Sequence, residues 1–442
     1  MLKLGTLILI LFTSGSLVTA QPSQPKPSVR EVNQVAQPAS TAMIAIVGAT
    51  LIDGRGGPPI NDSIVIVQGD RITEIGNRLS AKIPANAEVI DARGLTLLPG
   101  LIDSHFHIDG DDPLPALYLS HGVTSIRDPG QWIEAYDAAR KAPAPVPRLF
   151  LCGPHLDSPP PAYPTDSYIV RDADETRLAV NRFVDDGASA IKVYFRLPLA
   201  LMKVAIETAH VRGVPVMGHL EVVDARDAIN AGIDGIEHAT SFGTALLPLR
   251  DAEKYRQSVL ADNNARREGR YQVWNSIDLT TPQAKALFKL IVERGVVVSP
   301  TLAVFERQPG DKETTDLHVR AFKQMEAFVG LVKRAGGKVV VGSHSDVPHA
   351  KRGWAYQREM ELLVASGLTP MDTIVAGTME NARYFRVDDR LGSIEVGKLA
   401  DLILVEGDPL KDISNMRRIK RVMLNGIWQK AETDAAGEAT KR

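Results

Sequence analysis

Eight short apolar runs recur along the middle of this 442-residue chain, and helical patterns separate most of them. Two of these helical patterns, Pro198–Arg212 and Pro282–Arg294, end beside a glycine, a common residue just after a helix. Strands that alternate with helices predict an α/β protein, and eight such units predict a (β/α)8 barrel of the TIM type, with functional groups at the C-terminal ends of the strands. A doubly wound open sheet is the alternative, but no G-x-G-x-x-G sequence follows an early strand to support it. The eight runs are residues 101–105, 123–126, 148–152, 189–195, 214–218, 235–238, 296–299 and 338–342.

Both ends of the chain contain short β-type runs and turns instead. Residues 44–98 hold four such runs with turns such as Asp53-Gly54, and residues 391–430 have the same character, with a turn at Asn425-Gly426. This pattern predicts one small β-sandwich domain formed by both ends of the chain. The predicted boundaries are 43–98 and 383–430 for the small β-domain, 99–382 for the barrel, and 21–42 and 431–442 for a flexible linker and a flexible tail.

The first twenty residues have the pattern of an export signal. Lys3 precedes an almost wholly apolar run from Leu4 to Phe12, and Val18-Thr19-Ala20 has the small residues of a cleavage site. The apolar run is too short to span a bilayer stably, so a permanent membrane anchor is the weaker interpretation. We therefore expect a signal peptide at 1–20 and a mature protein that is periplasmic or secreted, with no membrane span once the signal is removed.

Charge and cysteine content exclude several classes of protein. Lys and Arg number 51 against 53 Asp and Glu, a net charge of −2, so nothing favours nucleic acid or an acidic membrane surface as a partner. Cys152 is the only cysteine, which excludes an intrachain disulfide. A small-molecule substrate is therefore the expected partner, and the formation of a homo-oligomer stays open.

Histidines and one lysine mark the ends of several predicted barrel strands. His105 and His107 end the first strand, and residues i and i+2 of a strand face the same side, so both imidazoles can bind one metal ion. His219 and His238 end the fifth and sixth strands. Lys192 lies inside the fourth, where burial favours the neutral amine that takes up carbon dioxide. The resulting carbamate has two oxygens and can bridge two cations. The alternative is that Lys192 lies at a strand edge and extends its amine to water.

Three further motifs accompany this metal-ligand pattern. They are Val47-Gly48-Ala49-Thr50-Leu51-Ile52-Asp53-Gly54, Leu98-Pro99-Gly100-Leu101-Ile102-Asp103, and Leu391-Gly392-Ser393-Ile394 through Gly397-Lys398-Leu399-Ala400-Asp401-Leu402. On these residues the chain resembles the amidohydrolase superfamily, in particular its imidazolonepropionase-like and prolidase-like branch of metal-dependent hydrolases. The resemblance runs over nearly the whole mature chain, from residue 44 to residue 426.

The resemblance implies a binuclear metal centre. His105 and His107 would hold the more buried ion, His219 and His238 the more exposed one, and Lys192, carboxylated, would bridge the two. Two divalent metal ions, for which we expect zinc, would share a water, lower its pKa toward about 7 and deliver hydroxide to a polarised carbonyl carbon. The same ligand types also suit manganese, cobalt or iron.

The chain departs from the family pattern at the end of the eighth strand. The family ends this strand with Gly-Thr-Asp, and the aspartate binds metal and carries a proton to the leaving group, whereas this chain has Gly342-Ser343-His344-Ser345-Asp346. An ungapped alignment puts His344 in the place of the aspartate, and in an extended strand Asp346 would face the same side one step higher. Three outcomes are open: His344 acts as base or ligand, Asp346 reaches back to bind metal and move the proton, or the general base is lost.

Other residues near the strand ends are candidates for contact with the substrate. Tyr194 shares the facing of Lys192, and the resemblance implies that it contacts the reacting carbonyl, with a packing role as the alternative. His155 follows the third strand and His349 the eighth, so both are placed to touch substrate. The long connection at 241–281 is either a lid or specificity element at the barrel mouth or a solvated helical insertion. Its Arg266 and Arg267 would pair either with a carboxylate of the substrate or with the acids of the insertion itself.

The predicted function is hydrolysis of an amide C–N bond in a small molecule, such as a dipeptide or an N-acyl amino acid, by a metal-bridged hydroxide. The same site would attack a lactone or an ester, because the attacking group and the carbonyl are alike. The alternative of another class is a binding protein that keeps the barrel and the metal but has lost turnover at His344.

Overall fold

The computed structural model describes residues 29–77, 79–141 and 145–429. The predicted signal peptide, the first part of the predicted linker and the predicted tail lie outside these residues. Within them, no helix is long and apolar enough to cross a membrane. The strands are β1 (Met43–Leu51), β2 (Ile60–Gln68), β3 (Arg71–Asn77), β4 (Glu88–Asp91), β5 (Leu95–Pro99), β6 (Leu101–Asp103), β7 (Val123–Asp128), β8 (Arg148–Leu151), β9 (His155–Asp157), β10 (Ser167–Ile169), β11 (Ile191–Val193), β12 (Val216–Gly218), β13 (Gly235–Glu237), β14 (Val297–Ser299), β15 (Lys338–Val339), β16 (Leu402–Glu406), β17 (Ile419–Leu424) and β18 (Ile427–Trp428). The helices are α1 (Leu114–Ser120), α2 (Asp137–Lys141), α3 (Ala173–Asp185), α4 (Leu199–Val211), α5 (Ala225–Asn230), α6 (Gly243–Leu246), α7 (Leu249–Ala261), α8 (Ala265–Ser276), α9 (Pro282–Arg294), α10 (Leu302–Phe305), α11 (Asp316–Arg334), α12 (Ala355–Ala365), α13 (Pro370–Ala376) and α14 (Met379–Phe385).

The barrel strands run parallel in two hydrogen-bonded sheets. One contains β6, β7 and β8, and the other has the order β10-β9-β11-β12-β13-β14-β15. The amide of Ser104 donates to the carbonyl of Val341 at 3.1 Å, and the amide of Ser189 donates to the carbonyl of Leu151 at 2.7 Å. The first bond links the end of β6 to the segment after β15, and the second links the end of β8 to the segment just before β11. Each of the eight predicted apolar runs therefore supplies one strand of the barrel, and most of these strands are fully buried, as parallel strands covered by helices are.

Local signals explain where the barrel helices begin and end. The hydroxyl of Thr281 accepts a hydrogen bond from the amide of Ala284 at 3.2 Å, and Pro282 occupies the first position of α9. The helix stops at Gly295, whose φ of 65° is left-handed and favours glycine. For this reason the observed helix has the same bounds as the predicted one. Its buried face consists of Ala284, Leu287, Phe288 and Ile291.

The loops at the C-terminal ends of the barrel strands carry additional structure. β9 and β10 follow β8 and pair in parallel with each other, which the sequence pattern did not predict. The connection at 241–281 contains no strand, as predicted, and folds into α6, α7 and α8. Of these three helices, α8 supplies residues to the wall of the barrel mouth.

The small β-domain is one hydrogen-bonded sheet built from both ends of the chain. Its strands have the order β18-β17-β16-β5-β1-β2-β3, and β4 also pairs with β1. β1 pairs in parallel with β4 at Ile44–Val47 and with β5 at Thr50–Leu51, because irregular pairing around Ala49 bends the strand between these segments. The predicted union of the two chain ends is confirmed, and the predicted sandwich takes the form of this single bent sheet with buried apolar side chains on both faces.

The described part of the predicted linker is packed against the rest of the protein. Asn33 is buried, donates to the carbonyl of Pro147 at 2.9 Å and accepts from the amide of Leu149 at 2.9 Å. Glu31 forms an ion pair with Arg148, at the start of β8, at 2.6 Å. The prediction of a flexible linker is therefore corrected for this stretch, because its polar side chains are used to bind the base of the barrel.

Candidate metal centre and substrate cavity

A cavity of about 360 Å³ lies at the C-terminal ends of the barrel strands. Most of the residues predicted to bind metal come together here, because they lie within or just after parallel strands of the same barrel. Tyr194 and His155 also line this cavity, whereas Asp346 and His349 do not. The predicted ligands in its wall are His105, His107, Lys192, His219, His238 and His344.

The histidine rings form a continuous cluster. The Nε2 atoms of His105 and His107 are 3.1 Å apart. His344 stacks on His105 with ring centroids 5.2 Å apart, and one ligand atom from each of these three histidines lies within 4.8 Å of the others. The ring of His238 lies 4.7 Å from that of His105 and 4.5 Å from that of His219. Five imidazoles are thus placed at distances that one or two metal ions can span.

Outer hydrogen bonds set which nitrogen of each ring is free. The Nδ1 atom of His105 bonds the fully buried carboxylate of Glu237, which also accepts from the hydroxyl of Tyr384 at 3.1 Å. The Nδ1 atom of His238 bonds the hydroxyl of Thr301 at 2.7 Å. In both rings Nε2 is left for a metal, and this arrangement of outer partners is typical of metal-binding histidines.

Burial keeps the imidazoles neutral. Loss of water around the rings lowers the pKa of His107 and of His344 to about 3, and the pKa of His219 to about 4, despite the nearby Glu221 carboxylate. The pKa of His105 also falls well below its usual value, for the same reason and because of neighbouring positive groups. These rings therefore carry no proton on the free nitrogen near neutral pH, which is the state that binds a metal ion.

Lys192 is buried in the wall of the same cavity, and within the described part of the chain its Nζ atom has no hydrogen-bond partner. Burial lowers the pKa of this amine to about 8. The predicted alternative, a lysine at a strand edge that reaches water, does not apply because the side chain is 2% exposed. An unpartnered amine within a cluster of neutral imidazoles fits a site completed by a carbamate and metal ions.

The structure separates His344 from Asp346. His344 lines the cavity, and its amide donates to the carbonyl of His105 at 2.7 Å. Asp346 is exposed, and its amide donates to the carbonyl of His344 at 2.8 Å. The expectation that both face one side assumed an extended strand, but His344 and Ser345 have φ values of 61° and 63°. This turn directs the chain away from the cavity. Asp346 was predicted to reach the metal-ligand cluster, and the structure places it outside that cluster.

Left-handed backbone recurs around the cavity. His238, after β13, and Thr301, after β14, have φ values of 64° and 44°, and neither is glycine. Such conformations cost of order 1–3 kcal/mol each and cluster at functional sites, where the surrounding structure holds them. His238 and His344 thus owe their orientation to positive φ angles, which sequence patterns do not reveal.

Of the remaining candidates for contact with the substrate, Tyr194 and His155 line the cavity and His349 does not. The ring of Tyr194 stacks on His155 at 4.3 Å and lies 4.7 Å from His219, and burial raises the pKa of its hydroxyl so that it stays a neutral donor. His349 pairs with Asp311 at 2.9 Å, outside the cavity wall. The insertion at 241–281 contributes α8 to the wall, which favours its interpretation as a specificity element over that of a solvated insertion.

Several residues of the site were not predicted from the sequence. Glu237 carries the clearest missed signal, since it is an acid inside the apolar Gly235-Ile236-Glu237-His238 segment and was open to the argument used for Lys192. Thr301 and Arg307 have no comparable local signal. Their places depend on how β14 and α10 pack beside β13.

Comparison with known proteins assigns the family. Residues 96–428 match the profile of the amidohydrolase family. The chain belongs to this family. It is 45% identical over 86 residues to an N-acyl-D-aspartate deacylase of Alcaligenes xylosoxydans xylosoxydans, a match that covers 18% of this chain and 16% of the relative. It is 44% identical over 57 residues to an imidazolonepropionase of Streptomyces griseus subsp. griseus, covering 12% of this chain and 14% of the relative.

Both of these matches span much less than two thirds of the relatives' lengths. Among solved structures, a Xaa-Pro dipeptidase with methionine bound in its active site has a TM-score of 0.68 and 23% identity, and the match covers 88% of this chain and 100% of that chain. The amidohydrolase family, the fold and the similarity to its imidazolonepropionase-like and prolidase-like members are thereby confirmed.

Proposed function

We propose that this amidohydrolase is a metal-dependent hydrolase that cleaves an amide C–N bond of a small molecule, such as a dipeptide or an N-acyl amino acid. The observation that carries the proposal is the buried cluster of neutral imidazoles around the unpartnered amine of Lys192. Membership of the amidohydrolase family supports the reaction class. The N-terminal signal pattern supports a periplasmic or secreted location.

The ligand set suits two divalent ions, which we propose to be zinc. His105 and His107, with His344, would hold one ion, His219 and His238 the other, and Lys192 as its carbamate would bridge them. When bound, such ions polarise a carbonyl oxygen and acidify water. Glu237 holds the ring of His105 through Nδ1, and Thr301 holds that of His238 in the same way.

The protein's own groups complete the proposed site. The hydroxyl of Tyr194, neutral at working pH, is available to donate a hydrogen bond to the substrate's carbonyl oxygen. His155 fixes the tyrosine ring by stacking on it. His105, Lys192 and His238 are buried in the cavity wall, and burial strengthens polar interactions with the reacting bond.

Removal of the metal tests the proposed function. Mature protein purified with zinc and bicarbonate is expected to hydrolyse members of a panel of dipeptides and N-acyl amino acids, to lose this activity on chelation, and to regain it with zinc. Metal content per chain and product formation are measured on the same samples. Hydrolysis of esters or lactones alone would assign the second substrate class, and bound metal without turnover on any panel would indicate the binding protein.

Exchange of the two residues at the end of the eighth strand separates their roles. His344→Ala is expected to lower kcat/KM by about 100-fold or more, because it removes a polar group from the reacting site. Asp346→Asn is the matched control and is expected to leave kcat/KM within about threefold, since its carboxylate is exposed and outside the cavity. A larger loss of kcat/KM in Asp346→Asn than in His344→Ala would assign the catalytic role to Asp346 instead.

A further inference from the structure

The cavity above the imidazole cluster has a strongly basic wall. Arg266, Arg267 and Arg270 come from α8, and Arg307 follows α10. Arg270 forms an ion pair with Glu221 at 3.6 Å. Among the described residues the other three arginines have no acidic partner within ion-pair distance. Long guanidinium side chains that share one wall repel each other unless an anion lies among them.

Arg266 is the most constrained of these arginines. Its side chain is 3% exposed, and one terminal nitrogen donates to the carbonyl of Asn263 at 2.6 Å, while the other donates to the hydroxyl of Tyr163 at 3.0 Å. Its Nε atom is buried and has no hydrogen-bond partner in the residues that the structure describes. The guanidinium also lies 5.2 Å from the ring centre of Phe195, beside Tyr194. The bonds to Asn263 and Tyr163 use two of the five N–H donors of the guanidinium, so a side chain held this rigidly keeps donors for a planar anion.

The acids near this wall do not neutralise Arg266. Asp109 and Asp166 line the same cavity, but Asp109 accepts its hydrogen bond from Gln131 at 3.4 Å. Asp157 feels the charge of Arg266, yet burial raises the pKa of this carboxyl to about 7. Among the described residues none of these three carboxylates forms an ion pair with Arg266, whose printed side-chain bonds go to Asn263 and Tyr163, so its guanidinium is left for the anion of a bound ligand.

We propose that Arg266 binds a carboxylate of the substrate, with Arg267 and Arg307 adding positive charge at the rim, so that the enzyme selects substrates with a free carboxylate close to the scissile C–N bond. The identity of the ligand as a substrate rests on the proposed hydrolase function. The binding test below does not depend on that function. The insertion that carries α8 is then the element that determines specificity. Loss of the carboxylate leaves the buried guanidinium unpaired, which makes the selection steep.

Matched pairs of ligands test the proposal. N-benzoyl derivatives of glycine, leucine, proline and aspartate are compared with their carboxamides by calorimetric titration of metal-free protein. The acids are expected to bind about 10- to 100-fold more tightly than the amides, as one charged hydrogen-bonding pair provides. This preference for the acids over the amides is expected to weaken as the salt concentration is raised. Equal or weaker binding of the acids in every pair, or no binding of any acid, would overturn the proposal.

Variants locate the preference. Arg266→Met is expected to abolish it while the amides bind as before, and Arg266→Lys to restore part of it, because lysine keeps the charge but not the planar fork. Arg250→Met is the matched control, since Arg250 is exposed on α7 of the same insertion and does not line the cavity. If Arg266→Met fails to fold, the acid and amide pairs on the unaltered protein still decide.

The two proposals fail in different ways. Hydrolysis of acid and amide substrates at equal kcat/KM would refute carboxylate selection and leave the hydrolase function standing. Tight binding of the acids without any turnover by the zinc-loaded protein would refute the hydrolase function and leave carboxylate binding standing.

Discussion

Lys192→Ala is expected to reduce the metal content of the zinc-loaded protein from two ions per chain to one or none and to abolish measurable hydrolysis. The Lys192 side chain lines the same cavity as the five imidazoles, and its buried amine has no hydrogen-bond partner among the described residues, so we expect its carbamate to bridge the two ions. Loss of an outer hydrogen bond to a metal ligand costs about 10- to 100-fold in affinity or activity, and loss of the bridging ligand is expected to cost more. Metal analysis and kcat/KM on the same preparation provide the measurement.

The control for this variant is Lys203→Ala, because Lys203 is exposed on α4 and has no place in the cavity. It should retain both ions and full activity. An unchanged metal content in Lys192→Ala would refute the carbamate bridge, and one ion in the unaltered protein would indicate a mononuclear site built on the histidines. Neither of those results would affect the assignment to the amidohydrolase family, which rests on residues 96–428.

Arg148→Met is expected to lower the free energy of unfolding by about 3–5 kcal/mol, the usual cost of removing one partner from a buried ion pair. Arg148 is 3% exposed in its side chain, and its Nε atom donates to Asp401 at 2.7 Å. Further nitrogens donate to Glu31 at 2.6 Å and to Asn425 at 2.8 Å. One guanidinium therefore joins the N-terminal stretch, the base of the barrel and the C-terminal part of the small β-domain.

Denaturant unfolding followed by circular dichroism measures this loss, with Arg177→Met as the control. Arg177 pairs with Asp174 at 2.8 Å on the surface, where both side chains are largely exposed, so its removal is expected to have a much smaller effect. A loss in Arg148→Met no greater than that in Arg177→Met would show that the buried cluster is not what joins the three segments.

The barrel was predictable because its signal is periodic and local. Each strand is a short apolar run, and the bounds of a helix such as α9 follow from a threonine, a proline and a glycine at its two ends. The same holds for the histidines, since the end of a parallel strand is where a barrel keeps its functional groups. The resemblance to amidohydrolases then implied which residues would share a metal centre.

The eighth strand shows where prediction from sequence stops. Its alternation placed His344 and Asp346 on one side, and this inference holds only for extended backbone. The structure has two consecutive residues with positive φ at this point, stabilised by bonds such as that from the amide of His107 to the hydroxyl of Ser345 at 2.7 Å. That partner lies 238 positions away in the chain, so no local pattern could reveal it.

Three features of this protein were predictable from the order of its residues: the alternation of strands and helices, the union of the two chain ends in one β-domain, and the residue types at the barrel mouth. These features depend on hydrophobic periodicity and on short capping and turn signals, which act over a few residues. Three others became clear from the folded chain: His344 faces the cavity while Asp346 faces solvent, Glu237 holds His105, and α8 brings Arg266 into the wall of the same cavity. Those contacts join segments far apart in the chain, and their geometry depends on how complete elements pack against each other.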